Sequence, residues 1–306
     1  GVTVGGRTDD GRTKQIGTET IMYDTTRRNF LTMCGLGLAA VGLAGCSSQS
    51  DSSQSDGTQT GGAASSDTTT QAGYTLVEDG RLTLISNFYF PPFVSMDEKT
   101  GDYEGFDVDL YKAICAKLGL EPNILPTVQF DTIVPTIKQG GKADVSLGAI
   151  TITDEREQEI DFSDPYLDSN QALVVKAASA ATDAAALDVS GTQVAVQSGT
   201  TGEAWARENI PNATIVPLDD IIQCLTGVQS GLYQASVCDL PVASYEIGIA
   251  YTDLRTAMEI PTGEQYGVVV SKDNPKLTEA INQALKDLKE DGTVDGWQMV
   301  WGAIRS

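Results

Sequence analysis

The segment 144–166, DVSLGAITITDEREQEIDFSDPY, constrains the fold of this chain more than any other. It begins with an apolar run at 145–150, which is typical of a buried strand, and becomes strongly charged at 154–156. Thr153 is a suitable N-cap, and the two carboxylates that follow it suit the positive end of a helix dipole. The segment therefore predicts a buried strand that leads directly into a helix.

Arg156 is the residue that this helix start does not explain, because a helix dipole disfavours a cation near its amino end. A guanidinium offers a planar fork of donors that fits a carboxylate, so Arg156 is explained if it holds an anionic ligand. The alternative is a surface helix on which Arg156 pairs with a neighbouring glutamate, since exposed ion pairs are common. The other segments of the chain favour the ligand.

The composition excludes several classes of function. With 20 basic and 42 acidic residues the net charge is −22, so the basic face that nucleic acid requires is not expected. Histidine is absent, which excludes histidine-dependent triads and His-ligated metal sites. We expect no cofactor and no metal. The length of 306 residues is enough for two domains.

Residues 1–46 carry an export signal. A twin-arginine motif, TRRNFL, occupies 26–31, and the apolar run that follows is shorter than the ~18 residues that span a membrane. Small residues before Cys46 resemble a bacterial lipobox, which predicts that Cys46 is lipidated. A retained membrane anchor is the alternative. We expect Met22 to be the true start, with the residues before it lying upstream of the signal.

Residues 47–73 are rich in Ser, Thr, Gln and Gly and predict a flexible tether. A lipid on Cys46 followed by this tether would hold the folded part outside the membrane and close to it. Three cysteines remain in the folded part. Cys115 falls on the apolar face of a predicted helix, whereas Cys224 and Cys238 either pair or stay free, because spacing alone does not fix connectivity.

Strand and helix patterns alternate in the first part of the folded region. A β run at 81–86 leads into the aromatic turn 87–93, and a helix with one apolar face follows at 105–119. A strand at 122–128 and a helix at 130–137 come next. This order predicts a sheet covered on both faces, whose ligands bind at the carboxyl ends of the strands. The residues that fall at those ends are Asn87, Phe90, Phe130, Ala149 and Thr151.

A second α/β unit follows a strand at 171–176. Its strand at 193–196 leads through the polar turn QSGTTG into a helix at 203–209. Such a helix start offers unpaired N–H groups to an anion, although many proteins carry a similar turn for structure alone. A helix at 221–228 and a short strand at 235–238 then bring the chain to Asp239.

The chain closes with a strand at 267–271 and two amphipathic helices. In the second of these helices Trp297 and Trp301 keep helical spacing, so we expect them to pack in the core.

With these motifs in order, the chain resembles the extracytoplasmic solute-binding proteins of ABC amino-acid importers, of the polar amino-acid type. The resemblance covers about 74–302. The motifs that carry it are PPF at 91–93, GFDVDL at 105–110, TITDER at 151–156, DFSDPY at 161–166, VQSGTTGE at 196–203, DLP at 239–241 and EQYG at 264–267.

The resemblance implies a two-lobed α/β fold of the periplasmic-binding-protein-like type II, with two hinge strands. Lobe one would comprise 74–168 and 268–306, and lobe two 169–267. Closure of the lobes over a ligand is a hinge motion that a permease can detect. The family also implies a monomer outside the membrane that has no catalytic residues and delivers an amino acid to an ABC permease.

The resemblance further implies a site for a zwitterion. Arg156 would bind the α-carboxylate, helped by Thr151 and by the turn N–H groups of Thr200 and Thr201. The expected partners of the α-ammonium come from the other end of the site. They are Asp239 and a main-chain carbonyl of Gly148 or Ala149.

The remaining site residues would hold the ligand side chain. Phe90 and Phe130 would sandwich its stem, and Asn87 and Gln197 would select its end. Because both selectors are neutral amides, they argue against a strongly cationic ligand. A polar neutral amino acid, glutamine-like or cystine-like, is the expected ligand.

Two other functions are open to this fold. It resembles certain exported dehydratases of amino-acid-like cyclic acids, but catalysis there needs a general acid aimed into the cleft. No carboxylate beyond Asp239 is expected in the motif positions. A ligand-sensing domain for a membrane receptor is the other alternative, and it would require a separate signalling partner.

Overall fold

Short strands and helices build the first half of the molecule. The computed structural model describes residues 68–69 and 73–301, all within the compact unit 63–306. The expected export signal with Cys46 lies outside the described residues, as does the expected tether apart from 68–69 and 73.

The elements of the first half run from Thr68 to Phe162. They are β1 (Thr68–Thr69), β2 (Thr75–Leu76), β3 (Arg81–Ile85), β4 (Tyr89–Phe90), β5 (Val94–Met96), β6 (Tyr103–Glu104), α1 (Phe106–Leu118), β7 (Glu121–Ile124), a 3₁₀ turn (Phe130–Thr132), α2 (Ile133–Gln139), β8 (Val145–Ser146), α3 (Asp154–Glu159) and β9 (Asp161–Phe162). Helix α1 ends at Gly119, whose φ of 69° is a left-handed conformation that glycine adopts without steric cost.

The second half begins with a longer strand. Its elements are β10 (Leu167–Lys176), β11 (Gln193–Gln197), α4 (Thr201–Asn209), β12 (Thr214–Leu218), α5 (Ile221–Ser230), β13 (Ala235–Asp239), α6 (Leu240–Ile249), β14 (Leu254–Tyr266), β15 (Val269–Val270), α7 (Pro275–Glu290) and α8 (Thr293–Trp301). No helix within 73–301 combines the length and the apolar sequence that a membrane crossing requires.

Two five-stranded sheets organise the fold. The first has the order β7-β3-β8-β15-β9, and the second has the order β12-β11-β13-β10-β14. The chain passes from the first sheet to the second between β9 and β10, and it returns between β14 and β15. Strands β10 and β14 pair antiparallel beside these crossings, from Leu167 opposite Tyr266 to Lys176 opposite Leu254. The predicted two-lobed fold with two hinge strands is thus confirmed.

Helix α7, late in the chain, packs beside α1 and the first sheet. Its apolar side chains, Leu277, Ile281, Leu285 and Leu288, are buried in the largest hydrophobic cluster together with residues of α1. Burial of one such side chain contributes about 1.5–3 kcal/mol. Trp297 packs against the same cluster, as expected, while the side chain of Trp301 is outside the described residues.

Several predicted elements have other limits in the structure. The strand expected at 122–128 ends at Ile124, the strand expected from 171 begins at Leu167, and α6 was not predicted. Helix α6 lacks a clear apolar stripe, because apolar residues occur on all sides of its sequence LPVASYEIGI.

The three cysteines of the described region are free and buried. The possible disulfide between Cys224 and Cys238 is therefore absent. Burial raises the pKa of Cys224 to about 12 and that of Cys115 to about 11. These thiols are small apolar core residues rather than reactive groups.

Candidate functional site

The carboxyl ends of strands from both sheets meet at a small cavity of about 10 Å³. The first sheet contributes residues that follow β3, β7 and β8, and the second contributes residues that follow β11 and the last residue of β13. The lining residues are Phe90, Phe130, Ala149, Thr151, Arg156, Thr200, Thr201 and Asp239, all of them expected site residues. A cavity of this size holds about one water molecule, so an amino acid would enter only if the lobes part.

Arg156 reaches between the two sheets. Thr153 caps α3 by accepting the Arg156 N–H at 3.2 Å, as predicted. The guanidinium donates from Nη1 to the carbonyl of Thr151 at 2.7 Å and from Nη2 to the carbonyl of Gly199 at 3.0 Å. It also lies 5.4 Å from the ring centroid of Phe130. One cation thus links a loop of the first sheet to a turn of the second.

The surface-pair alternative for Arg156 does not describe this geometry. Among the described residues, no ion pair within 4.0 Å includes Arg156, and Glu159 pairs with Lys138 instead. Burial lowers the pKa of Arg156, while the carboxylates of Asp239 and Glu264 act in the opposite direction. The half-buried guanidinium has five N–H groups, and two of its nitrogens are engaged by the carbonyls.

Asp239 supplies the negative charge at the end of β13, where it is 5% exposed. Its Oδ1 accepts from Gln171 Nε2 at 2.8 Å, and its Oδ2 accepts from the hydroxyl of Tyr266. Burial raises the pKa of Asp239 to about 7, and the charge of Glu264 adds to this rise. An ammonium group at this place would favour the ionised carboxylate.

Glu264 is a second carboxylate in the site, so the expectation of none beyond Asp239 is wrong. Its Oε2 accepts from the hydroxyl of Thr151 at 2.9 Å, from Gln171 Nε2 at 3.0 Å and from the hydroxyl of Thr201 at 3.1 Å. The sequence shows Glu264 as the first residue of the EQYG motif at 264–267, although its contacts were not predicted. Glu264 stands two residues before the buried Tyr266 on β14, and alternate residues of a strand share a face.

The contacts of Glu264 decide what the two threonine hydroxyls offer to a ligand. A hydroxyl group has one hydrogen to donate. Because Thr151 and Thr201 both donate to Glu264, only oxygen lone pairs remain for a ligand, and one of those of Thr201 already accepts from Gln171 Nε2 at 3.2 Å. In this state the two hydroxyls are suited to an ammonium group, and a carboxylate would depend on Arg156 and on main-chain N–H groups.

Asp107 holds the loop at Gly148 and Ala149 in place. Ala149 has a φ of 53° and is the one non-glycine residue with positive φ in the described part of the chain. Its N–H donates to Asp107 Oδ2 at 2.7 Å, and the hydroxyl of Tyr166 donates to the same oxygen at 2.6 Å. Burial raises the pKa of Asp107 to about 6. Neither the sequence motif GFDVDL nor the helix pattern had indicated this contact.

The two expected selector amides contact each other across the sheets. Gln197 Nε2 donates to Asn87 Oδ1 at 3.1 Å, and neither residue lines the 10 Å³ cavity. Gly148 also does not line it. A second cavity of about 310 Å³ adjoins the first, sharing Phe130, Arg156, Thr200 and Thr201 with it.

The site has no feature of a metal centre. The described residues contain no group of three His, Cys, Asp or Glu side chains that could hold a metal ion. The expected absence of a cofactor stays a prediction. A fixed cation and fixed carboxylates that face one another across two sheets are suited to a small molecule that carries both charges.

Comparison with known proteins agrees with this geometry. The model of the bacterial extracellular solute-binding proteins, family 3, matches residues 82–303. The L-cystine-binding protein TcyJ of Escherichia coli K12 is 29% identical over 224 residues, which are 73% of this chain and 83% of that protein. The glutamine-binding protein GlnH of Bacillus subtilis 168 is 31% identical over 204 residues, which are 66% of this chain and 74% of that protein.

A solved structure agrees as well. An ancestral arginine-binding protein bound to glutamine is 36% identical to this chain, with a TM-score of 0.68, and the match covers 74% of this chain and all of that one (100%). The motifs, the two sheets joined by β10 and β14, and these matches lead to one conclusion: the chain belongs to the bacterial extracellular solute-binding proteins of family 3.

Proposed function

We propose that this chain binds a free amino acid, polar and neutral, between its two lobes and delivers it to an ABC permease. The observation that carries the proposal is the pair Arg156 and Asp239. Arg156 lies on α3, which follows β8 of the first sheet, and Asp239 ends β13 of the second sheet, yet both line the same cavity. A zwitterion satisfies both charges only when the lobes are closed, so binding and closure support each other.

The site residues take these roles in the proposal. Arg156 and the N–H groups of Thr200 and Thr201 hold the α-carboxylate. Asp239 holds the α-ammonium with a carbonyl of Gly148 or Ala149. The ligand stem lies between Phe90 and Phe130, and its end reaches Asn87 and Gln197. The names of TcyJ and GlnH, a cystine-binding and a glutamine-binding protein, support a polar ligand.

The lobes and the anchor complete the proposal. Lobe one comprises 74–168 and 268–306, and lobe two comprises 169–267, with the monomer as the working unit. Export by the twin-arginine signal and lipidation of Cys46 hold the protein at the outer face of the membrane. Replacement Cys46→Ser should release the exported protein from the membrane fraction, and retention there would contradict lipidation.

Binding rather than catalysis is the activity of this chain, and the curated relatives described above are named as binding proteins. Because Glu264 is a second carboxylate in the cleft, the argument against a dehydratase can no longer rest on Asp239 being the only one. Its Oε2, however, accepts three side-chain hydrogen bonds, which hold it as a fixed part of the site.

Calorimetry tests the proposal. The purified chain, unfolded and refolded to remove bound solute, is titrated with each standard amino acid, and we expect binding of at least one. Arg156→Ala and Asp239→Ala should each lose about 2–5 kcal/mol of binding free energy, because each leaves a charge without its partner. Arg207→Ala, which removes an exposed arginine on α4, is the matched control. Unchanged binding in both site variants would overturn the assignment.

A further inference from the structure

The side chains of Asn87 and Gln197 meet in the interface between the lobes, and their NH₂ groups already have acceptors. Gln197 Nε2 donates to Asn87 Oδ1 at 3.1 Å and to the carbonyl of Asp219 at 3.2 Å. Asn87 Nδ2 donates to the carbonyl of Val128 at 2.8 Å. Both side chains are almost fully buried, with 2% of Gln197 and 5% of Asn87 exposed.

One atom of this pair has no partner. Gln197 Oε1 is buried and accepts no hydrogen bond from the protein. A buried carbonyl oxygen without a donor is unfavourable, because it has lost its bonds to water and gained nothing in return. Since Oε1 and Nε2 share one carbon atom, this oxygen lies in the lobe interface beside Asn87.

The neighbours fix the direction of both amides. Turning the Gln197 amide over would place Oε1 against Asn87 Oδ1 and the carbonyl of Asp219, and three acceptors would then face each other. Turning the Asn87 amide over would place Oδ1 against the carbonyl of Val128. The orphan at this end of the site is therefore an oxygen and not an NH₂ group.

The chain positions place these amides where a ligand side chain would end. Gln197 directly precedes the turn that leads to Thr200 and Thr201, and Asn87 precedes Phe90 by one short loop. Thr200, Thr201 and Phe90 all line the cavity that Arg156 and Asp239 share. A side chain inserted between the two amides would meet two oxygens, Asn87 Oδ1 and Gln197 Oε1, and the one Nε2 hydrogen of Gln197 that Asn87 had accepted.

We infer that the solute is an amino acid whose side chain ends in an N–H donor, such as a carboxamide, and that side chains with acceptors alone are rejected. The inference rests on the proposed function of the same site. A donor would satisfy Gln197 Oε1 and replace the hydrogen that Asn87 Oδ1 loses when the two amides part. A carboxylate or an ester could accept the released Nε2 hydrogen, but it would leave both oxygens without a donor.

Matched ligands test this directly on the full chain. The probes are L-glutamine, L-glutamate and the γ-methyl ester of L-glutamate, with L-arginine as a larger donor. The ester is neutral and lacks the N–H donor, so it separates hydrogen bonding from charge. By calorimetry we expect at least one donor probe to bind tenfold or more tightly than the ester and L-glutamate, a difference of about 1.4 kcal/mol.

Two variants of strand β11 show whether Gln197 causes the preference for a side chain with an N–H donor. Gln197→Met keeps the length of the side chain and removes both polar atoms, so the preference for the donor probe over the ester should fall below about threefold. Gln193→Met places the same change at the exposed far end of β11 and should keep the preference. The comparison of probes on the unmodified chain stands even if Gln197→Met does not fold.

The possible failures are distinct. If the ester or L-glutamate binds within tenfold of the best donor probe, the inference is overturned and the proposed function stands. The inference is also overturned if the standard amino acid that binds most tightly has no N–H donor in its side chain. If no amino acid binds at all, the proposed function fails and the inference fails with it.

Discussion

Gly199 and Asp131 touch across the two lobes so closely that a methyl group added at Gly199 would lie 2.8 Å from Asp131 Cβ and 3.1 Å from its Cα. Gly199 follows β11 in the second sheet, whereas Asp131 lies in the 3₁₀ turn beside the first. Ser198, the residue before Gly199, donates from Oγ to Asp131 Oδ2 at 3.1 Å. This turn is therefore a point where the lobes meet in the closed state.

Replacement Gly199→Ala should hold the lobes apart, because the backbone of Asp131 cannot move aside without moving its own lobe. We expect amino-acid affinity to fall at least about tenfold and the radius of gyration in the presence of ligand, measured by small-angle X-ray scattering, to exceed that of the unmodified chain.

Gly101→Ala is the matched control for that variant. Gly101 has a φ of 74°, close to the 76° of Gly199, but nothing lies within 4 Å of the added methyl. Both variants carry the strain of a left-handed alanine, about 1–2 kcal/mol. Equal loss of affinity in the two would show that backbone strain, and not the lobe contact, is responsible.

Glu264→Gln should weaken the binding of amino acids about tenfold, because it removes one of two negative charges near the expected ammonium position. The glutamine oxygen can still accept from Thr151, so the local structure should persist. Calorimetry measures the loss, and Glu259→Gln, an exposed residue on the same strand, is the control. Tighter binding in Glu264→Gln would mean that this carboxylate competes with the ligand instead of attracting it.

The stability of the ligand-free protein should fall as the pH rises from about 4 to about 7. Burial raises the pKa of Asp239 from 3.8 to about 7, so in this window the folded protein holds a proton that the unfolded chain has released. The free energy of unfolding then decreases with pH. Asp107, whose pKa is raised to about 6, acts in the same direction.

Denaturation of Asp239→Asn isolates the contribution of this residue. We expect the variant to lose on the order of 2 kcal/mol of the change in unfolding free energy between pH 4 and pH 7. Parallel profiles for the variant and the unmodified chain would show that Asp239 does not titrate in this range.

Asp107→Ala should destabilise the protein by about 3 kcal/mol, because the Ala149 N–H and the Tyr166 hydroxyl would both lose their buried acceptor. Asp107→Asn keeps one oxygen for both donors and removes the buried charge, so its stability should stay within about 1 kcal/mol of the unmodified chain. Urea denaturation measures both. Equal destabilisation by the two changes would mean that the charge itself is required.

Local patterns in the sequence were enough to predict the parts of the site that depend on local structure. The N-cap of Thr153, the strand before Asp239 and the turn before Thr201 each follow from a few neighbouring residues. Their convergence followed from the rule that ligands bind at the carboxyl ends of strands.

The residues that sequence reasoning missed act through distant contacts. Glu264 meets Thr151 across 113 positions of the chain, and Gln171 meets Asp239 across 68. No periodicity in one segment reports on such a contact. Asp107 was visible in a motif, but its partner Ala149 lies 42 positions away, so only the folded chain shows what its carboxylate does.

Strand β14 both leads the chain back to the first sheet and supplies residues of the site. The connection that follows β14 is one of the two that join the sheets. Near the end of β14, Glu264 accepts from Thr151 and Tyr266 donates to Asp239. The end of this strand is bonded to the loop that carries Thr151, because the Ile152 N–H donates to the carbonyl of Gln265 and the Gly267 N–H donates to that of Ile150. We therefore expect Glu264 and Tyr266 to stay beside Thr151 when the lobes part, so that this side of the binding site is already formed when an amino acid first arrives.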